Sequence, residues 1–430
     1  DVYKRQRIAS IAAAVIAAIL IAFYSGFFQS DTTQQEQALL TYYQNGQYDE
    51  AMKAALELAE TNTKVRLSHL IQGNIFLRKG NLNAAQPAYT NAVAAPQGTD
   101  LQKANALIGL GRLASLENRQ DDAMQYYQQA TQTAPESSRG YLSQAMLLSQ
   151  KDTTAALDLL EKAQTHDPHN SALAAITKQT RRQMELARDE QQQKRIDKLV
   201  QDLLENMDQP PRAMLTDGWT SQPLILWIMD FKTSGYSIQE GENALLLSGI
   251  TEHLLEKGRV QIVERALLDK LLGELKLGSS ELADRRTALA VGKLMAARLI
   301  VSGTIVYSGP HTQISLRIIE TETGRIAAAI NETVGSAIPV SELADQISGN
   351  LSAKLDEKYP IRGKIVKMDG NTAWMNIGAS VGVVEGQTYK AVNQETVLEV
   401  VAVAPEESAA RIAENATLPV AGQSIEILYQ

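Results

Sequence analysis

The stretch ANALIGLGRLASLENRQDDAMQYYQQATQTAP (104–135) decides the fold of the first half of the chain. Gly111 sits among large apolar residues, Ala123 lies beyond a polar turn, Tyr127 follows four residues later, Ala130 three after that, and Pro135 closes the unit. Small residues at these positions let two helices approach closely. The same frame recurs in HLIQGNIFLRKGNLNAAQPAYTNAVAAP (69–96), with Gly73, Ala85, Tyr89 and Ala92. It recurs again in YLSQAMLLSQKDTTAALDLLEKAQTHDP (141–168), with Ala156, Leu160 and Ala163; Pro135 and Pro168 are 33 residues apart. An earlier copy, QALLTYYQNGQYDEAMKAALELA (37–59), keeps Gly46, Tyr48 and Ala51 but has Ala55 where a large residue is expected, and 97–103 read as a short insertion. Self-similarity at this period predicts stacked helix pairs.

The frame resembles the tetratricopeptide repeat (TPR), which implies an α-solenoid with a concave face that binds a peptide or partner helix. The groove positions of the first helices give Asn74, Arg78, Asn105, Arg112 and Tyr141 as exposed partner-binding candidates. Arginines and asparagines suit a carboxylate or an acidic peptide through charge-assisted hydrogen bonds; the competing reading is ordinary solvated helix surface. His166 and His169 in HDPHN fall in an inter-repeat turn, where Asp-Pro starts a new helix, so no metal site is expected there.

Composition narrows the chemistry. At 430 residues the chain suggests about three domains. Lys and Arg total 41 against 49 Asp and Glu, a net charge of -8, which argues against nucleic acid as a partner. No cysteine is present, which excludes disulfides, thiol nucleophiles, Cys-based metal sites and a thioether-linked lipid in this sequence. With five histidines, catalysis has few general-base candidates.

Lys4, Arg5 and Arg7 precede an uncharged run, IASIAAAVIAAILIAFYSGFF, before Asp31. As a helix the run rises roughly 30 Å, the thickness of a bilayer's hydrocarbon core. Basic residues in front predict a cytoplasmic N-terminus and export of the rest. Phe23, Tyr24, Phe27 and Phe28 favour an uncleaved N-terminal transmembrane signal anchor over residues 1–30, because a cleaved signal peptide ends in small residues; cleavage is the alternative. The localisation expected is therefore the bacterial inner membrane, single-pass, with the bulk of the chain in the periplasm.

Residues 31–208 form the array, ending in a long polar capping helix from Ser171 that runs out as a spacer with an amphipathic end at Ile196, Leu199, Leu203 and Leu204. Pro210 and Pro211 stop it, placing a linker at 209–221. Residues 222–359 then alternate. QPLILWIMDFK (222–232) and RVQIVER (259–265) read as strands with a helix at 241–256 between them. ALLDKLLGELKL follows, with Leu267, Leu268, Leu271, Leu272 and Leu275 on one helical face. RRTALAVGKLMA (285–296) is a second helix, and strands at 297–309, 313–324 and 325–335 lead to a helix at 339–358. This order predicts an α/β domain, a sheet covered by helices.

WIMDF, then VQIVERALLDKLLGELKL, then ALAVGKLMAARLIVSGTIV resembles the curli secretion component (CsgG) family. The same domain type occurs in lipoprotein activators of penicillin-binding proteins and in the middle domain of a flagellar assembly protein (FlgT). The resemblance implies envelope assembly work through oligomerisation and partner binding, without catalysis or cofactors. Pore-forming members are lipidated at an N-terminal cysteine and carry barrel-forming hairpins; neither is apparent here, so a secretion pore is the weaker expectation. Asp230 and Glu264 with Arg265 end successive strands, where α/β sheets place ligands, but no serine elbow, phosphate loop or histidine accompanies them. A salt-bridged strand edge is the simpler reading, and His253 and His311 read as helix-face and turn residues.

Residues 360–430 alternate in short strands, with Asp369-Gly370 as a hairpin turn and Gly378, Gly382 and Gly386 expected to take positive φ. A barrel of about five strands is expected, with Trp374 in its core rather than on its surface as a binding aromatic. The NIGASVGVVEGQ run resembles the SH3-like C-terminal domain of flagellar assembly and other envelope proteins. Together these readings predict a membrane-anchored, non-enzymatic periplasmic scaffold that binds protein partners, with a regulator that activates a peptidoglycan synthase as the alternative.

Overall fold

The computed structural model describes residues 34–149, 151–188, 194, 197–201, 218–237, 240–263, 265–275, 285–295, 297–308, 311–335, 338–414 and 416–429. Four helix pairs stack in order: α1 (34–44) with α2 (Tyr48–Thr61), α3 (Arg66–Arg78) with α4 (Leu82–Ala94), α5 (Asp100–Leu116) with α6 (Gln120–Thr133), and α7 (Ser138–Leu148) with α8 (Thr153–His166). The small-residue frame sets their spacing. Ala85, Ala123 and Ala156 are fully buried, as are Tyr89 and Tyr127. A Cβ added at Gly111 would lie 2.4 Å from the Tyr127 ring, so the ring occupies the volume a side chain would need. Tyr89 does this twice, against Gly73 of its own repeat and Gly109 of the next.

The insertion expected at 97–103 is a short loop plus the first turn of α5. Thr99 and Gln102 form a reciprocal capping box at that helix start. Arg66, buried at the start of α3, donates to the carbonyls of Ala92, Ala95 and Thr99 and ties the loop down.

α9 (Ser171–Arg188) departs from the expected polar spacer. Ala172, Leu173, Ala175 and Ile176 are buried, because α9 packs on the next domain as well as on α8. Further on, Val200 is buried against that domain, whereas Leu199, expected on the apolar face, is exposed; Ile196, Leu203 and Leu204 lie outside the described residues.

The α/β domain comprises β1 (Leu224–Ile228), β2 (Lys232–Ser234), α10 (Glu242–Glu256), β3 (Val260–Ile262), α11 (Arg265–Glu274), α12 (Arg285–Leu294), β4 (Leu299–Ser308), β5 (His311–Glu320), β6 (Ile326–Gly335) and α13 (Val340–Lys358). The single strand expected at 222–232 is two, β1 and β2. Both run parallel to β4, β1 along its first half and β2 along its second, while β4, β5 and β6 form an antiparallel meander. Strand order is β3-β1-β4-β5-β6. Alternation decides the layers. Leu224, Leu226 and Ile228 face α10 and α13, whereas Trp227 and Ile300 face α11 and α12 through Leu268, Leu271 and Val291. Between array and domain, a Cβ at Gly249 of α10 would lie 2.7 Å from Ala344 and 3.5 Å from Ala172, so three small residues let α9, α10 and α13 meet closely. Ser248 Oγ donates to Gln179 Oε1 at 2.7 Å across the same seam.

Residues 361–429 close into a six-stranded barrel rather than five, in the order β10-β11-β8-β7-β12-β9. Its strands are β7 (Arg362–Asp369), β8 (Thr372–Met375), β9 (Thr388–Ala391), β10 (Val397–Val403), β11 (Ser408–Ile412) and β12 (Ser424–Leu428). Gly370, Gly382 and Gly386 have φ of 58°, 91° and 84°, but Gly378 does not share this. Its backbone is extended, and it is small because a Cβ would lie 2.2 Å from the Ala404 carbonyl oxygen. Ala373 and Met375 face the core, so Trp374 between them is on the outer face, half-buried beneath the Lys367 ammonium at 4.9 Å.

The chain is stitched where it enters and leaves the α/β domain. Ser221 N–H donates to the Arg362 carbonyl at 2.8 Å, and Arg362 N–H donates to Ser221 Oγ at 2.9 Å. Trp219 Nε1 donates to the Gly363 carbonyl at 3.0 Å beneath the Arg362 guanidinium. Among the described residues no helix is long and apolar enough to cross a membrane; the anchor expected over 1–30 lies outside them.

Candidate protein-interaction site

The inner helices α3, α5 and α7 line one face of the array, with Arg78, Arg112 and Arg139 directed to a common region. What meets them is the connection between β2 and α10. Arg112 Nη1 bonds Glu240 Oε1 at 2.8 Å and its Nε donates to the Ser237 carbonyl at 3.3 Å. Tyr127 donates its hydroxyl to Glu240 Oε2 at 2.9 Å, so both carboxylate oxygens are held. The Arg112 and Glu240 side chains are only 15% and 16% exposed, which separates this pair from the array's surface ion pairs.

Glu242 lies near the same three arginines and accepts from Ser237. Burial nevertheless dominates and raises its pKa above the ordinary carboxylate value, with the arginines opposing. Burial likewise raises the Tyr127 phenol, and the Glu240 charge adds to it. Tyr236 packs beside Gly80 and joins the apolar cluster of Leu77, Tyr89, Leu110 and Leu113. A Cβ at Gly241 would meet Met146 of α7 at 2.3 Å.

The five groove residues expected to be exposed are not. Arg78 is buried, over the Tyr48 ring at 5.9 Å, and the other four are half-buried. Asn74 Oδ1 accepts from the Tyr89 hydroxyl at 2.9 Å, and Asn105 Oδ1 accepts from Arg139 at 3.4 Å. Tyr141 stacks on His166, with ring centroids 5.5 Å apart. Arg112 and Arg78 thus share one electrostatic site with a carboxylate, whereas Asn74, Asn105 and Tyr141 are held by the array itself. Arg139, Tyr236, Glu240 and Glu242 escaped the sequence reading, although YSIQEGEN (236–243) offers an aromatic and two carboxylates between β2 and the first turn of α10.

Elsewhere, Asp230 is exposed beyond the end of β1, and its expected partners Glu264 and the Arg265 side chain lie outside the described residues. His253 pairs with Asp345 of α13 at 2.7 Å, and His166 with Glu136 at 3.3 Å. Among the described residues no cluster of three metal-ligating side chains occurs.

Two segments match known families. Residues 226–309 match the family described as curli production assembly/transport component CsgG, and residues 104–137 match the tetratricopeptide repeat. A CsgG-type α/β domain thus follows a TPR array. Among solved structures, the C-terminal domain of LpoB from Salmonella enterica is 18% identical over 33% of this chain and 95% of its own, with a TM-score of 0.23. MamA is 19% identical over 34% of this chain and 85% of its own, with a TM-score of 0.27. Pseudomonas aeruginosa pilF is 18% identical over 42% and 82%, with a TM-score of 0.33. No curated protein matches the chain.

Proposed function

We propose that the protein is a membrane-anchored periplasmic scaffold or assembly factor of the bacterial cell envelope, binding protein partners through its array and its CsgG-type domain. The observation that carries this is the carboxylate-binding face of the array, where Arg112 and Tyr127 together hold both oxygens of one acidic side chain. That chemistry recognises and orients; it does not transform a substrate. The match to an assembly/transport family over 226–309 supports the same reading. The apolar run after Lys4, Arg5 and Arg7 supports attachment to the inner membrane, and the barrel, read as SH3-like, adds a second contact surface.

Crosslinking and pulldown from intact envelopes, with inner and outer membranes separated, tests this. Recovery with the inner membrane and with protein partners is expected; recovery only from the cytosol refutes it. A stoichiometric pair with a peptidoglycan synthase would instead identify an activator.

A further inference from the structure

The partner-binding face of the array is already filled, and what fills it belongs to the same chain. Gly235 turns the backbone off β2 with φ of 80°, and a Cβ there would lie 2.2 Å from the Tyr307 carbonyl oxygen, so this turn is built for glycine. Tyr236 then seats in the apolar cluster between α3 and α5, the Ser237 carbonyl and Glu240 engage Arg112, and Gly241 passes against Met146 of α7. Residues 238–239 lie outside the described ones. β2 ends at Ser234 and α10 begins at Glu242, so these contacts are made by residues outside both strand and helix. They have the composition of a peptide ligand: one aromatic anchor, then carboxylates against arginine.

We propose that Tyr236, Ser237, Glu240 and Gly241 together act as an internal ligand of the array, and that the face accepts a partner's acidic segment, an aromatic followed a few residues later by carboxylates, only by displacing them. A tethered ligand acts at an effective concentration of about millimolar, so it masks the face from weaker competitors until something opens it. The claim that the competitor is a protein segment rests on the scaffold reading; the masking itself does not.

The test uses the full chain and a fluorescent peptide of sequence SGYSIQEGENA, that of residues 234–244. Anisotropy titrations compare the native chain with the double variant Tyr236→Ala/Glu240→Ala. Opening the face is expected to tighten peptide binding at least about tenfold, as removal of a closed-state population does. Adding Arg112→Ala is expected to erase that gain. Should the double variant fail to fold by circular dichroism, Glu240→Gln alone is read by the same criteria. Equal affinity in native and opened chains, no binding to either, or a gain that survives Arg112→Ala overturns the proposal. Partner capture from envelopes without peptide binding overturns the internal ligand alone, and peptide binding without capture overturns the scaffold alone.

Discussion

Gly111 and Tyr127 contend for one volume, and the outcome is measurable. Gly111→Ala drives a methyl into the ring and should cost about 1–3 kcal/mol in urea unfolding, as overpacking does. Gly273→Ala, on an exposed stretch of α11 with nothing within 4 Å of its added Cβ, should instead stabilise by up to about 1 kcal/mol. Glu242 gives a pH dependence of definite sign. Its folded pKa is raised by burial, so its charge costs stability above that value, and the cost vanishes as pH falls to the ordinary carboxylate range. Glu242→Gln should therefore be more stable than the native chain at neutral pH, with the gap closing on acidification in parallel thermal melts. The sequence located Arg112 because repeat periodicity says which positions line the inner face. It could not say what fills that face, since the filler comes from more than a hundred residues away. Trp374 shows the same limit at one position: alternation was visible, but its parity against the core was not.

Among elements, α3 and α9 show where pattern alone runs out. The Gly-Ala-aromatic frame was legible because each member meets another inside the same repeat or the next. Arg66 was not, since its three carbonyl partners exist only once the loop after α4 has folded back. Arg66→Ala leaves the buried carbonyls of Ala92 and Ala95 without their donor and should cost about 2–4 kcal/mol, read from the denaturation midpoint. α9 looked like a solvated spacer because its charge masks a short face, Ala172 to Ile176, that becomes a seam only opposite Gly249 and Ala344. Replacing Gly249 by leucine should lift α9 from α10. Amides of α9 would then exchange faster by mass spectrometry, while β4 and β5 keep their protection.

At the scale of the molecule, two domains read from the sequence as separate units are joined by that seam and by the connection that enters the array. A single cooperative unfolding transition for array and α/β domain is expected, and Arg112→Ala should broaden or split it in calorimetry. Truncating one member of a partly buried charge pair leaves the other uncompensated, a penalty of about 3–5 kcal/mol in fully buried cases. Order and type of the domains were legible from local periodicity, but their attachment was not, because it depends on contacts no local pattern encodes.

The stitching of Ser221 to Arg362, with Trp219 on the Gly363 carbonyl, has a mechanical consequence. Because the α/β domain begins and ends at this one clasp, tension between the two ends of the chain can pass from 221 directly to 362. The sheet then hangs beside the load path as a pendant. In single-molecule pulling from the termini, the clasp should shear first at low force, and only afterwards should the sheet bear tension and unfold.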